Sequence, residues 1–451
     1  MKLFAIALVS ILLAADPAIA QPKDAKRPWT VLVYGAADNN ADGPILRFLD
    51  SVRKALDDDP GVDLLLLIDR SEKYSNDAKL LGEDFTGARL FRLHKDKAER
   101  LSGDSHFPDI TLEKDIELDT SDAANIARFI AWGKATSPAQ RYALMIYSHA
   151  DGQTMCPDEQ SHGEMGIPEL TNEAGPETSV DFLALELCNM GGIEIAYQWR
   201  PGNGRFGADV LLAIPNAGPP LDWDRAFARI RSDGHDTSAS APAVDPATMT
   251  AVEFGKLVIE EGHRGRQKAG RRGGGASRES AGCYDLKQSG KVKAAIDELS
   301  RALAKSDSKN EFLMLGRRAF HYDEKQHSPD LYELCKLASS CEQLSVDVRR
   351  ASDAVMKCVD DFVIASFGMD GYPDFESGKH GVFISLPPRA ASWKRFEWYT
   401  PLAGDEKNYG KWSFLRDGAR QGNGKIENWF ELLDQWFDQQ DEAGGIKSYT
   451  P

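Results

Sequence analysis

Six cysteines are few for a chain of 451 residues. Holding Cys188 out as a reactive thiol leaves five, an odd number that excludes complete pairing. Among Cys283, Cys335, Cys341 and Cys358 one or two disulfides are expected, with no connectivity readable from spacing. Positive charge is also in deficit, with 54 Lys and Arg against 70 Asp and Glu and a formal net charge of −16. Nucleic-acid binding needs a concentrated basic face, so that class of partner is excluded. Beyond the first twenty residues no apolar run reaches membrane-spanning length. Repeats are absent too. What remains is the profile of a soluble globular protein, 42% hydrophobic and 27% charged, long enough for two domains or one large α/β domain with an appended region.

The N-terminal stretch MKLFAIALVSILLAADPAIAQ has the layout of an export signal. Lys2 supplies the short positive region, residues 3–15 the apolar core, and Ala18-Ile19-Ala20 the small-residue site. Residues 1–20 are therefore expected to be removed near Ala20, leaving a secreted or periplasmic protein. A lipoprotein would need a Cys after the cut, and Gln21 stands there.

The first half alternates strand and helix signals. WTVLVY (29–34) and VDLLLLI (62–68) are continuous apolar runs of the kind that central parallel strands show. Residues 88–93 alternate as a hairpin arm would. Strands are expected again at 142–147, 180–187 and 209–214, with helices at 43–56, 121–134 and 192–199. This order predicts an α/β fold with a mostly parallel sheet and helices on both faces. The basic, glycine-rich segment HRGRQKAGRRGGGASR (263–278) breaks the pattern and is expected to be a linker or exposed loop. Helices follow near 291–304 and 345–363, then a strand at 381–386 stopped by Pro387-Pro388. Aromatic clusters at 393–399, 412–414 and 429–437 are expected to pack.

Ligands of open parallel sheets bind beyond the carboxyl ends of the strands, and two such ends carry reactive groups. YALMIY runs into Ser148-His149-Ala150-Asp151-Gly152, and VDFLALEL into Cys188-Asn189-Met190-Gly191-Gly192. A thiol becomes a good nucleophile when an imidazole takes or shares its proton. The glycines let the chain turn sharply, and N–H groups at such a turn can face an oxyanion. Taken singly, Cys188 could be a buried filler and His149 a polar loop residue; at successive strand ends they make a pair. Strand alternation puts Phe182, Ala184, Glu186 and Cys188 on one side and Leu183, Leu185 and Leu187 on the other. Glu186 then stands beside the thiol, unless it serves an internal Arg or Lys instead.

Several segments, in order, resemble the clostripain family of cysteine peptidases in the caspase–gingipain–legumain clan. They are WTVLVYGAADNN, LLLLIDR, RYALMIYSHADG, VDFLALELCNMGGIEIAYQW, AIPNAGPPLDWDRAF, CYDL and HGVFISLPP, spanning nearly all of the mature chain. The resemblance implies a caspase-like three-layer sandwich with a helical C-terminal region. Residues 21–262 would be the catalytic domain, 263–280 a basic linker or loop, and 281–451 the part completing the fold. It implies a His149–Cys188 dyad, oxyanion donors at the backbone N–H of Ala150 and Cys188, and Glu186 as the group that reads a basic side chain. Protein or peptide substrates cut after Arg or Lys follow, since a carboxylate repels Asp and Glu. Because the clan's dyad often works without a third residue, Asp151 and Asp181 are given no triad role.

Ala150 replaces the family's usual Gly, Leu187 its usual Ala, and Ser148 its usual Asp. These changes keep open a catalytically impaired member acting as a binding module, and a thiol acyl hydrolase or transpeptidase using the same dyad is a third alternative. No Lys or Arg lies between Arg141 and Arg200, which excludes self-cleavage after a basic residue there; any processing is expected within 263–278. No cofactor is implied by a motif: calcium, used by some relatives, finds no EF-hand-like spacing. Cys156, Asp158, Glu159, His162 and Glu164 match no zinc pattern.

Overall fold

A computed structural model describes residues 26–57, 61–74, 79–114, 116–232, 241–270, 279–323, 327–368, 380–396, 412–418 and 425–438. The export signal expected at residues 1–20 lies outside these. Among the described residues there are eleven strands: β1 (Arg27–Ala37), β2 (Val62–Arg70), β3 (Gly87–Leu93), β4 (Ala98–Leu101), β5 (Ala139–Tyr147), β6 (Thr154–Asp158), β7 (Gly163–Gly166), β8 (Val180–Glu186), β9 (Ala208–Ala213), β10 (Ser280–Asp285) and β11 (Val363–Gly368). Nine of them form one sheet in the order β11-β10-β9-β8-β5-β1-β2-β3-β4, while β6 and β7 form a separate hairpin. The run β9-β8-β5-β1-β2 is parallel, and antiparallel strands finish both edges.

The apolar runs explain the layering. All nine residues of β2 are buried, as a strand covered on both faces requires. Even and odd positions then feed two separate cores. One holds Leu32, Tyr34, Leu183, Leu185 and Leu187, the other Val31, Val33, Phe182 and Ala184. Helices α1 (Asp42–Ala55), α2 (Ala123–Thr136), α3 (Ile167–Glu173), α4 (Ile193–Gln198), α5 (Trp223–Arg229) and α6 (Ala251–Gly270) divide between them. Ile45, Leu49, Trp223, Phe227 and Phe254 bring α1, α5 and α6 to the second core. Ile126, Leu170 and Ile193 bring α2, α3 and α4 to the first, which continues into α7 (Ser289–Ala304), α8 (Lys309–Arg318), α9 (Leu331–Ser339) and α10 (Val346–Phe362). The tail aromatics Trp393, Trp412, Phe414, Trp429 and Phe430 are buried packing groups. The result is a three-layer α/β sandwich with a helical C-terminal region.

Three expectations need correction. Residues 263–270 of the basic segment are the end of α6 rather than a linker, and 271–278 lie outside the described residues. The basic side chains there sit one helical turn from carboxylates: Arg264 pairs with Glu260 and, at 2.8 Å, with Glu261. Spacing of this kind supports a helix, where composition alone suggested solvated loop. Residues 381–386 form no sheet strand; Phe383 makes single bridges to Gly192 and Asp330. Their backbone groups serve loops instead, with Phe383 N–H donating to Gly191 O and Ile193 N–H to Phe383 O, which fastens the turn after Cys188. Finally, all six cysteines are free thiols. Cys283 and Cys335 are fully buried in different cores, and Cys341 and Cys358 are partly exposed at the edge of the core that holds Cys335.

Candidate active site

Strands β5 and β8 pair in parallel, with Ile146 opposite Leu185 and Tyr147 opposite Glu186. Two residues past each lie His149 and Cys188, so the register brings together the two strand ends that lead to them. The approach of His149 is pinned from β1. Ser148 Oγ donates to Ala36 O at 2.7 Å, and Asn39 Nδ2 donates to Ser148 Oγ at 3.3 Å. Ser148 is thus a buried strut holding the two strand ends together. His149 Nε2 lies 2.6 Å from Asn40 Oδ1. A carbonyl oxygen only accepts, so the neutral ring carries its proton on Nε2 and keeps Nδ1 as the basic nitrogen. Partial burial lowers the His149 pKa, which favours that neutral, basic form. Asn40 escaped sequence reasoning: in AADNN it reads as part of a polar turn, and only the β1–β5 pairing shows which residue of that turn meets the ring.

Cys188 is partly exposed. The next residue, Asn189, takes φ = 60°, the left-handed conformation that Asn tolerates better than most residues. Asn189 N–H then donates to Asn216 O and Met190 N–H to Ile214 O. A side chain at Gly191 would collide with Pro215, and a Cβ at Gly192 would lie 2.8 Å from Phe383, so close backbone approach demands glycine at both. Across the site, Ala150 faces Met155 in a single antiparallel bridge. Its two bonds, Asp151 N to Thr154 O and Cys156 N to His149 O, come from the flanking residues. Ala150 N–H therefore points away from that hairpin. No left-handed backbone is needed at Ala150; Gly152, at φ = 90°, makes the sharp turn.

Glu186 is on the side of β8 that alternation assigns, but it is 4% exposed and lies beneath the surface. Its oxygens accept from Trp223 Nε1 at 2.6 Å and Leu221 N at 3.0 Å. Burial pushes its pKa up to about 7, against the lowering effect of those bonds and of Arg266. Two more carboxylates share this region. Asp222 lies 3.4 Å from Arg266 Nη1, and Glu279 also contacts the Arg266 guanidinium. Glu279 adjoins Ser280, which bonds to Asn216, whose carbonyl holds Asn189. Neither Asp222 nor Glu279 stood out in the sequence, since what links them is Arg266, on α6. Leu187 faces the opposite core at 1% exposure, away from Cys188.

Asp151 and Asp181 are occupied elsewhere: Asp151 accepts from the backbone of Gln153 and Thr154, and Asp181 from Tyr142 N. A cavity of about 130 Å³ opens beside the site, between Gln153 after the His strand and Glu194, His327, Phe383 and Ser385 behind the Cys turn. Of the polar residues noted after His149, Cys156 is buried in the core, Glu159 pairs with Lys73 and Glu164 with Thr154. Asp158 instead joins Asp38 and Glu117 in a group able to hold a cation.

A sequence profile described as the clostripain family matches residues 33–436. Clostripain of Hathewaya histolytica is 31% identical over 481 residues, covering 95% of this chain and 90% of that protein. Two solved structures share the fold. An inactive zymogen C11 protease from Parabacteroides distasonis aligns with a TM-score of 0.58 at 16% identity, over 84% of this chain and 99% of its own. A secreted C11 cysteine protease from Bacteroides thetaiotaomicron, in complex with an irreversible peptide inhibitor, aligns with 0.54 at 17%, over 86% and 99%.

Proposed function

Because the chain belongs to the clostripain family of cysteine peptidases, we propose that it is an exported endopeptidase cutting after Arg or Lys through His149 and Cys188. The observation that supports this reading is the β5–β8 register, which makes neighbours of the strand ends leading to the two residues, together with the Asn40 contact to His149 Nε2.

In this mechanism His149 takes the Cys188 proton and the sulfur attacks the carbonyl carbon of the scissile bond. Backbone N–H groups of Cys188 and Ala150 receive the oxyanion, Ala150 by virtue of its outward N–H. As the C–N bond breaks, His149 returns the proton to the leaving amine. Water, deprotonated by the same imidazole, then releases the acyl group and restores the thiol. Preference for a basic residue is supported by Glu186, Asp222 and Glu279 clustering around one Arg266. Leu187 facing the core and Ala150 keeping its donor both support a working site.

Reporter peptides with Arg, Lys, Asp or Leu before the bond test this directly. Turnover of Arg and Lys peptides, lost in Cys188→Ala, is expected; equal turnover by Cys188→Ala, or preference for Asp, would overturn it.

A further inference from the structure

Near its end, α6 brings one guanidinium to the segment that holds Glu186. Arg266 Nη2 donates to Pro220 O at 2.6 Å and Nη1 lies 3.4 Å from Asp222 Oδ1, while Nε meets the Glu279 carboxylate. Leu221 stands between Pro220 and Asp222, and its N–H donates to Glu186 Oε2 at 3.0 Å. Trp223 Nε1 supplies the other bond to that carboxylate, at 2.6 Å. Residues 220–223 thus bond Arg266 and Glu186 alike.

The surroundings are shaped for this contact. Asp222 precedes α5 at the capping position, where Asp commonly bonds a backbone N–H, yet its side chain makes no capping bond. It meets α6 instead, so closely that a side chain at Gly265 would collide with its carboxylate. Two anchors keep this end of α6 in place. The His263 ring stacks on Phe367 of β11 with centroids 5.7 Å apart, and Arg225 of α5 donates to Glu261 of α6 at 3.0 Å. We propose that Arg266 is a positioning residue for substrate recognition, clamping residues 220–223 so that Glu186 is held in place to receive the basic side chain before the scissile bond. This rests on the role given to Glu186 above.

Arg266 acts on the charge of Glu186 as well as on its place. Among the described residues, the hydrogen-bond partners of that carboxylate are the neutral N–H groups of Leu221 and Trp223. Burial pushes the Glu186 pKa up to about 7; the two hydrogen bonds and then Arg266 lower it, and Asp222 raises it. On β5, Tyr147 lies opposite Glu186 in register, and Cys188 follows two residues along the chain. Without Arg266 the charge of Asp222 is unopposed, so Glu186 keeps its proton to higher pH. A neutral acid offers a guanidinium no charge, so discrimination weakens over the pH range in which Glu186 is protonated.

The test compares reporter peptides bearing Arg or its uncharged isostere citrulline before the bond, on the mature chain and on Arg266→Met. The ratio of their kcat/KM values cancels the titration of His149 and Cys188, which both peptides share. In the unmodified chain the Arg-to-citrulline ratio should rise with pH through about 7. In Arg266→Met it should be at least about fivefold lower at pH 7, with the rise moved up by about one pH unit. Arg266→Lys, which keeps the charge but not the fork, should restore the position of the rise and part of the ratio. Arg266→Met/Glu279→Gln, which neutralises the stranded Glu279, should show the same shift even if the single variant folds poorly. A ratio near one at every pH in the unmodified chain would remove the role of Glu186 itself. A preference for Arg that neither Arg266→Met nor the double variant alters would overturn the role of Arg266 alone. A higher ratio in Arg266→Met would overturn it too, since Arg266 would then be competing with the substrate.

Discussion

Replacing Asn40 isolates the contact that gives His149 its tautomer. The side chain of Asn40 is at the surface and meets Nε2 at 2.6 Å, so Asn40→Ala should leave stability within about 0.5 kcal/mol. A hydrogen bond of this kind contributes a net ~0.5–1.5 kcal/mol, and if fully used at the transition state its loss slows the reaction by about twofold to tenfold. Loss of the preferred tautomer adds to this, so kcat should fall about tenfold with KM within about twofold, because Asn40 holds the base and not the substrate. Asn40→Asp supplies the complementary test. An anion beside the ring favours imidazolium and raises its pKa, opposing the burial that lowers it. The basic form then disappears at higher pH as pH falls, and the acid limb of kcat moves up by about one unit. The assay is a kcat and KM profile from pH 5 to 9 on an Arg reporter peptide. Unchanged kcat in Asn40→Ala, together with an unmoved acid limb in Asn40→Asp, would refute the role given to this residue.

Other consequences are quickly checked. Leu187→Ala removes a buried core side chain pointing away from the thiol and should cost ~2–5 kcal/mol in chemical denaturation, with kcat per folded molecule unchanged. Ala150→Gly should leave kcat within about twofold, since the donor is the backbone and its φ is already accessible. Glu194, buried at 2% exposure behind the Cys turn, has its pKa pushed up to about 7 by burial. An acid whose folded pKa exceeds its unfolded one binds protons more tightly when folded, so its contribution falls as pH rises from about 4.5 to 7. Glu194→Gln should flatten that decline, by up to ~3 kcal/mol, in midpoints measured across the window. Thiol counting after denaturation without reductant should return all six cysteines; fewer would reinstate a disulfide.

Much of this was legible in the sequence because strand periodicity carries the information. Alternation in VDFLALEL assigns Leu187 to the core and Glu186 to the side of Cys188, and the two apolar runs that open the chain are the central parallel strands. What was not legible depends on pairings between distant segments. Asn40 matters only because β1 lies next to β5, and Arg266 meets Asp222 and Glu279 only because residues 263–270 stay helical. The group Asp38, Glu117 and Asp158 is drawn from three separate stretches, none with a ligand spacing of its own. Glu186 shows the limit of alternation: period two gives the side, but not the depth at which Trp223 and Leu221 enclose the carboxylate.

The central claim, that His149 and Cys188 are one catalytic unit reading a basic side chain, is tested most directly by covalent capture. The mature chain would be treated with an irreversible electrophilic peptide bearing Arg, and the adduct mapped by mass spectrometry. One adduct on Cys188 is predicted, formed far more slowly with an Asp peptide and slowed about a hundredfold or more by His149→Ala. An adduct on Cys341 or Cys358, or equal rates with Arg and Asp peptides, would contradict it.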